Sequence, residues 1–460
     1  MASIIDPIKH VVVLMLENRS FDHMLGCMQD VYPNLDGIAA GNPPRTNMDS
    51  SGNLFPQAPG ATRTLENDPY HEYTDVLSQI SNNSSGFVDN YALHYPNSSI
   101  EDRAQIMCYY QRGELPILHT LAEQFTVCDH WFSSLPGPTW PNRLFIHSGT
   151  SLGRVTMPGG ILNANLHWYD QTTVYDRLNQ KNISWKIYYG DIPQSLILVH
   201  QLEPQNSSRY HGMAEFFEDA AGPETNFPAY SFIEPAYYQP GANDDHPPHD
   251  VMDGQKLIAD VYNTLRSNES LWKSSLLVIL YDEHGGFYDH VSPPAAIPPD
   301  HHTEEFTFDQ LGVRVPAVLV SPYVKAGVVQ TQFDHTSLLK YLIDKWNLGP
   351  LGNRAAQAMT FAPALNLNQP PREDTPQMVS ISTSSLHSTR TVRPEDFGTA
   401  EHSLFGLTHL LESMVEDIDP IKVMERNKRI LTGPENKVDV AVDRVKEFLD
   451  ERKKQFIKSL

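Results

Sequence analysis

Two near-continuous apolar runs dominate the hydrophobic pattern, Ile8–Leu16 and Ser274–Tyr281 (SSLLVILY). Neither alternates with polar positions, as expected of strands buried on both faces of a parallel sheet. Shorter runs over Thr126–Trp131, Ile183–Tyr189, Ala229–Ile233 and Val313–Val320 predict four further strands. Apolar positions at helical spacing predict helices over Leu115–Gln124, Val174–Lys181, Gly254–Ser267 and Thr336–Trp346. Strands that alternate with helices define an α/β fold, a mostly parallel central sheet between helical layers.

The periodicity lapses in three places. Asp36–Glu66 and Ser81–Ile106, rich in Gly, Pro, Asn and Ser, read as long loops that cover a site. Gln369–Arg393 is a polar Ser/Thr/Pro stretch. Beyond it, Val438, Val442, Val445 and Leu449 return to helical spacing in Lys437–Leu460, which predicts a C-terminal helical tail that packs rather than anchors in a membrane. The expected organisation is therefore a catalytic domain over 1–368, and a polar linker with a helical region over 369–460.

Charge narrows the possible partners. Lys+Arg number 34 against Asp+Glu 56, a net charge of −22, which disfavours nucleic acid and stable docking on anionic membranes. Cys27, Cys108 and Cys128 are odd in number and scattered, so they read as reduced structural thiols. The VVVLML core near the N-terminus lacks a basic leader and a small-residue cleavage site, and runs directly into Glu17. It reads as the first strand, which places the chain in the cytoplasm by expectation; a secreted location remains open if a native leader precedes Met1. No apolar run approaches the length of a transmembrane segment.

Candidate chemistry sits where the apolar runs end. Ile8–Leu16 releases Glu17-Asn18-Arg19-Ser20-Phe21-Asp22-His23, and Ser274–Tyr281 releases Asp282-Glu283-His284-Gly285-Gly286. Two buried strands ending in carboxylates and an amide build a cluster of hard oxygen ligands. Neighbouring residues on a strand face opposite ways, so Asp282 and Glu283 act together only if the strand has ended, as Gly285-Gly286 implies. Thr139, two residues before Pro141 in TWPNR, stands at or beside a helix N-cap. Alone it reads as an ordinary cap; beside an anionic phosphorus centre, the same free N–H groups stabilise phosphoryl oxygens.

Four motifs in order, Glu17–His23 (ENRSFDH), Thr139–Arg143 (TWPNR), Asn243–Asp250 (NDDHPPHD) and Asp282–His290 (DEHGGFYDH), give the chain its resemblance. Over roughly residues 8–365 it resembles the phosphoesterase family of bacterial phospholipases C, plant non-specific phospholipases C and related acid phosphatases. The resemblance implies an alkaline-phosphatase-like fold and one divalent metal ion held by Glu17, Asn18, Asp282, Glu283 and Thr139, with Thr139 also the nucleophile. It further implies that His71, His246 and His249 surround the phosphate. An all-oxygen ligand set suits Ca²⁺, Mg²⁺ or Mn²⁺ better than Zn²⁺.

His284 and His290 are expected as supports near the metal strand, His335 as a helix starter, and Asn142 and Arg143 as buttresses of the nucleophile helix. Thr at position 139 is what the phospholipase C branch uses where the acid phosphatases use Ser. The expected reaction is hydrolysis of a glycerophospholipid, with transient contact at a membrane surface, to diacylglycerol and a phosphorylated head group. A phosphomonoesterase built on the same site and a non-enzymatic lipid-binding protein are the alternatives. The aromatics of Ala229–Tyr238 and Trp185–Tyr189 fit either a lipid-facing surface or core.

Overall fold

The computed structural model describes residues 6–39, 43–157, 169–238, 241–381 and 437–459. Eight strands form the central sheet: β1 (His10–Leu16), β6 (Thr126–Cys128), β7 (Trp185–Tyr189), β8 (Tyr210–Gly212), β9 (Tyr230–Glu234), β10 (Ser275–Tyr281), β11 (Ala317–Val320) and β12 (Gly327–Val329). Their order is β12-β6-β11-β10-β1-β9-β7-β8. All neighbours run parallel except β11, antiparallel to both β10 and β6. Every residue of β1 and β10 is buried, which accounts for runs without alternation. The expected α/β class and mostly parallel sheet are what the chain adopts.

All four expected helices form, over Pro116–Gln124, Val174–Gln180, Val251–Ser267 and His335–Trp346. The third starts three residues earlier than its periodicity predicts, because the Asp250 side chain caps it by accepting from Met252 N at 3.0 Å. Two short edge strands, β8 and β12, were not anticipated.

The segment expected as a loop over Ser81–Ile106 contains the helices Phe87–His94 and Ile100–Ala104. Its Asn/Ser run does break the chain: Asn82, Asn83 and Ser84 have φ of 48°, 62° and 60°, between that helix and the helical turns that begin at Tyr73. The Asp36–Glu66 segment carries a small hairpin, β2 (Thr46–Met48) with β3 (Leu54–Pro56), and β4 (Ala58–Pro59), which pairs with β5 (Cys108–Tyr109). Phe55, Val76, Phe87, Val88 and Tyr91 form a satellite core with Tyr288 and Val313. These segments therefore pack over the body next to the Asp282–His290 motif.

The three cysteines are buried and unpaired. Tyr230, Phe232, Tyr237 and Tyr238, together with Trp185 and Tyr188, are core, which settles the two readings of those aromatics. The helix Lys437–Ser459 buries Val442, Val445, Phe448 and Leu449 in the main core, and no helix among the described residues is long and apolar enough to cross a membrane. Residues 369–381, expected at the start of a linker, are bonded to the body through Arg372 to Gln124 O and Val324 O and through Val379 to Asn263. Residues 382–436, which hold the rest of the expected linker, lie outside the described residues, as does the side chain of Val438 in the expected helix.

Candidate active site

β1 and β10 run in register, Leu16 opposite Tyr281, so Glu17 and Asp282 leave the sheet side by side. Asp282 N donates to Leu16 O at 3.1 Å, Asn18 N to Asp282 Oδ1 at 3.3 Å and Arg19 N to Glu283 O at 3.1 Å. β10 ends at Tyr281, so the condition for Asp282 and Glu283 to act together is met. Both chains then turn through left-handed backbone, at Asn18 (φ 57°) and Gly285 (φ 61°). A Cβ on Gly285 would stand 2.2 Å from Asn18 O, so only glycine allows the two turns to meet. Gly285→Ala is expected to lower the unfolding free energy by about 2–4 kcal/mol, combining a left-handed alanine with a backbone clash. An unchanged urea midpoint would show that the turns are free to separate.

Thr139 is the first residue of a fully buried helix, Thr139–Ser148, with Pro138 at the N-cap. Of the two expected positions, at the cap or beside it, Thr139 thus takes the second, which leaves its hydroxyl without a capping duty. Arg143, one turn along on the same face, is where expectation and structure differ most. Its Nε donates to Asp282 Oδ2 at 2.9 Å, and its terminal nitrogen lies 3.1 Å from Glu17 Oε1. It therefore bridges the two strand ends and ties the first turns of the helix to them. Asn142 is a buttress as expected, accepting from Leu135 N and donating to Gly137 O at 2.8 Å.

The three predicted histidines are brought together. The His71 and His246 ring centroids are 6.2 Å apart, and those of His246 and His249 are 6.3 Å apart. His71 donates from Nδ1 to Pro69 O at 2.7 Å, which leaves Nε2 3.1 Å from Asn18 Nδ2 and 3.7 Å from Glu283 Oε1. His249 Nδ1 is held by Asp244 Oδ1 at 2.6 Å, and His246 Nε2 lies 3.7 Å from Asp68. Asp244 and Asp68 were not singled out from the sequence, although Asp244 sits inside the Asn243–Asp250 motif with the histidine it faces and Asp68 lies three residues before His71. Gln194, which donates to Glu17 Oε1 at 2.8 Å, carried no sequence signal.

Electrostatics show a deficit of positive charge. Burial raises Glu17 well above the usual carboxylate range despite Arg143, and pushes Asp282 up to about 6. Burial would also raise Glu283, but His71 and His284 outweigh it and hold it low. Against burial, Glu283 and Asp68 hold His71 up at about 9, while burial lowers His246. The charge on His71 conflicts with the Asn18 amide donor facing the same nitrogen, and a cation beside Glu283 would relieve that conflict. Asn18 Oδ1 and Glu283 Oε1 are buried and accept no hydrogen bond. Two open, hard oxygen atoms in an acidic pocket are the atoms a divalent metal would take, so the donor set fits one.

The remaining histidines divide. His284 supports Glu283, with Nδ1 3.4 Å from Oε2 and Nε2 2.8 Å from Gln79 Oε1. His335 does begin its helix, but its ring faces the site: burial lowers its pKa to about 4, Trp131 Nε1 faces Nδ1, and Nε2 donates to Asp282 O at 2.6 Å. His290 lies elsewhere, with Asp22 and Asp289 in a group whose ligand atoms fall within 4.8 Å of one another. That group has the spacing of a metal site, yet Arg314 is already in it, bonded to Asp22 at 3.0 Å and Asp289 at 2.9 Å.

Asp22 and Asp36 hold His290 up at about 9 in spite of its burial. A raised histidine contributes stability fully below about pH 6.5 and loses it as pH rises through 9. His290→Gln is therefore expected to destabilise by about 2–3 kcal/mol more at pH 6 than at pH 9.5. Equal effects at the two pH values, read from urea unfolding, would remove the imidazolium from this account.

A buried hydroxyl at a helix start, three clustered histidines and an acidic oxygen pocket are groups that hydrolysis of a phosphoric ester can use. The Phosphoesterase family model matches residues 8–349, and the chain belongs to that family. Non-specific phospholipase C6 of Arabidopsis thaliana is 36% identical over 408 residues, covering 80% of this chain and 74% of the relative. Phospholipase C B of Mycobacterium tuberculosis is 30% identical over 432 residues, covering 81% and 80%. A solved structure of a protein in the alkaline phosphatase superfamily from Vibrio parahaemolyticus has a TM-score of 0.31 and 10% identity over 55% of this chain and 64% of that one, too distant to add to what the sheet shows.

Proposed function

We propose that the enzyme is a phospholipase C, cleaving glycerophospholipids to diacylglycerol and a phosphorylated head group through a phospho-threonine at Thr139. The observation that carries this reading is the uncapped Thr139 hydroxyl at the start of a buried helix whose next turn, through Arg143, is fixed to Glu17 and Asp282. Glu17, Asn18, Asp282 and Glu283, with Thr139, are the residues that would hold one divalent ion, Ca²⁺, Mg²⁺ or Mn²⁺ by their oxygen donors. When bound, it would lower the pKa of the hydroxyl and neutralise phosphoryl charge.

The chain's own groups account for the rest. The positive end of the helix favours phosphoryl oxygens through its dipole, with Trp140 N already held by Met157 Sδ at 3.4 Å and Pro141 lacking an N–H. His71, between Glu283 and Asp68, faces the site through Nε2, 3.1 Å from Asn18 Nδ2. With Nδ1 held by Asp244, His249 protonated at Nε2 gives that proton to the departing alkoxide and is left neutral to take one from the attacking water, while the proton Thr139 releases passes to bulk water. Two in-line displacements at phosphorus give net retention.

A phosphomonoesterase would use the same groups, so substrate class rests on groups around the second ester. With phosphatidylcholine, phosphatidylethanolamine and a simple phosphomonoester assayed together, a diester is expected to show at least a tenfold higher kcat/KM, about 1.4 kcal/mol of transition-state preference. Efficient phosphate release from the monoester, with no diacylglycerol from either lipid, would replace this reading by the acid-phosphatase one.

A further inference from the structure

The segment that delivers Asp68 and His71 to the site also gathers large exposed apolar side chains. Met48, Leu54, Leu93 and Ile100 are 54%, 66%, 75% and 50% exposed. In the β2–β3 hairpin Met48 pairs directly with Leu54, and Asn47 with Phe55. The second pair is buried, so alternation puts the first on the outer face. Asn47 pins the hairpin to the body, donating to Ser84 O and accepting from Phe87 N, each at 3.0 Å.

The hairpin turn stands between two helices. On one side Ser50 N donates to Asp89 Oδ1 at 2.7 Å, and Leu93 is one turn beyond Asp89 on Phe87–His94. On the other, Arg103 donates to Asp49 Oδ2 at 2.9 Å, and Ile100 is one turn before Arg103 on Ile100–Ala104. Single exposed apolar residues are ordinary on a protein surface, but four gathered around one pinned turn form a patch.

The patch is continuous with the site. His94, the residue after Leu93, stacks on Tyr70 at 3.7 Å with the rings within 4° of parallel. Tyr70 is 38% exposed and immediately precedes His71. Asp89, Glu101 and Asp102 lie beside the apolar residues, and with a net charge of −22 an anionic surface is repelled. An apolar patch with a tyrosine at its inner edge and acids around it matches the interface of a zwitterionic bilayer.

We propose that this face, carried by Met48, Leu54, Leu93 and Ile100, docks the enzyme on a zwitterionic phospholipid surface and so presents the Asp68–His71 segment to its substrate. The proposal rests on the phospholipase C reading and deepens it. The test is cosedimentation with phosphatidylcholine vesicles of the full-length wild type and of the Met48→Asp/Leu93→Asp variant, whose exposed positions leave the fold intact by circular dichroism. Both proteins are also assayed on vesicles and on short-chain phosphatidylcholine below its critical micelle concentration.

The expected result is vesicle binding at least tenfold weaker in the variant, vesicle hydrolysis reduced in parallel, and kcat/KM on the monomeric lipid unchanged. Wild type that does not sediment with vesicles, equal binding by the two proteins, or parallel loss on both substrates would overturn it. So would a wild-type dimer that the variant dissociates, which would assign the face to a second copy of the chain. Failure of the phospholipase C reading has a separate signature, wild type inactive on the monomeric lipid whatever its vesicle binding.

Discussion

Thr139→Ala is expected to lower kcat on phospholipid by at least about 1,000-fold, equivalent to about 4 kcal/mol of barrier, while the protein stays folded. The stability side follows from the helix start: Pro138, not Thr139, occupies the N-cap, so the hydroxyl supports no backbone amide. Losing even a capping threonine costs only about 1 kcal/mol, and the Arg143 bridge to Glu17 and Asp282 remains in place. The catalytic side follows from the proposed mechanism, in which His71, His246 and His249 would handle charge and protons but could not replace the attacking oxygen. Thr139→Ser keeps that oxygen and is expected to retain measurable turnover at reduced rate. Turnover by the alanine variant within tenfold of wild type, in a preparation with an unchanged melting curve, would remove Thr139 from the nucleophile role.

How far the sequence reaches depends on whether a feature is local. β1 and β10 are legible because each is buried on both faces and therefore apolar at every position. β8 and β12 are not, since each has three residues at a sheet edge and no pattern to detect. The reversed direction of β11 is a property of its neighbours rather than of its residues. The Asn82–Ser84 break was visible as composition, but Phe87–His94 just beyond it was absorbed into the same polar stretch.

The site divides in the same way. Glu17-Asn18 and Asp282-Glu283 are legible as the ends of apolar runs. The bridge from Arg143 to both is a contact between segments more than a hundred residues apart. Asp244 against His249 is hidden differently: five residues separate them, but the turn that brings Nδ1 to the carboxylate is not encoded by a repeating pattern. His335 marks the limit of local reasoning, because a helix starter and a support for Asp282 O are one residue seen from two directions.

Stripping the protein of divalent cations with EDTA is expected to abolish turnover and lower stability together. Glu17, Asp282 and Glu283 are buried with Asp244 nearby, faced by Arg143, His71 and His284. Buried carboxylates without matching positive charge cost several kcal/mol each, and the raised Glu17 and Asp282 register that shortage. An ion present at a thousand times its dissociation constant adds about 4 kcal/mol to the folded state.

Asn18→Ala removes the open Oδ1 without changing any charge, and because an alanine at φ 57° is itself strained, its readout is metal content and response to added metal rather than stability alone. Asp282→Asn also weakens the Arg143 contact and mixes two effects. The expected outcome is about one equivalent of divalent metal in wild type by elemental analysis, little in Asn18→Ala, and a melting temperature that rises on adding Ca²⁺, Mg²⁺ or Mn²⁺ to stripped wild type but not to stripped variant. A stronger rise with Zn²⁺ than with these ions would contradict the oxygen-ligand argument. Full activity in metal-free wild type would end the metal assignment itself.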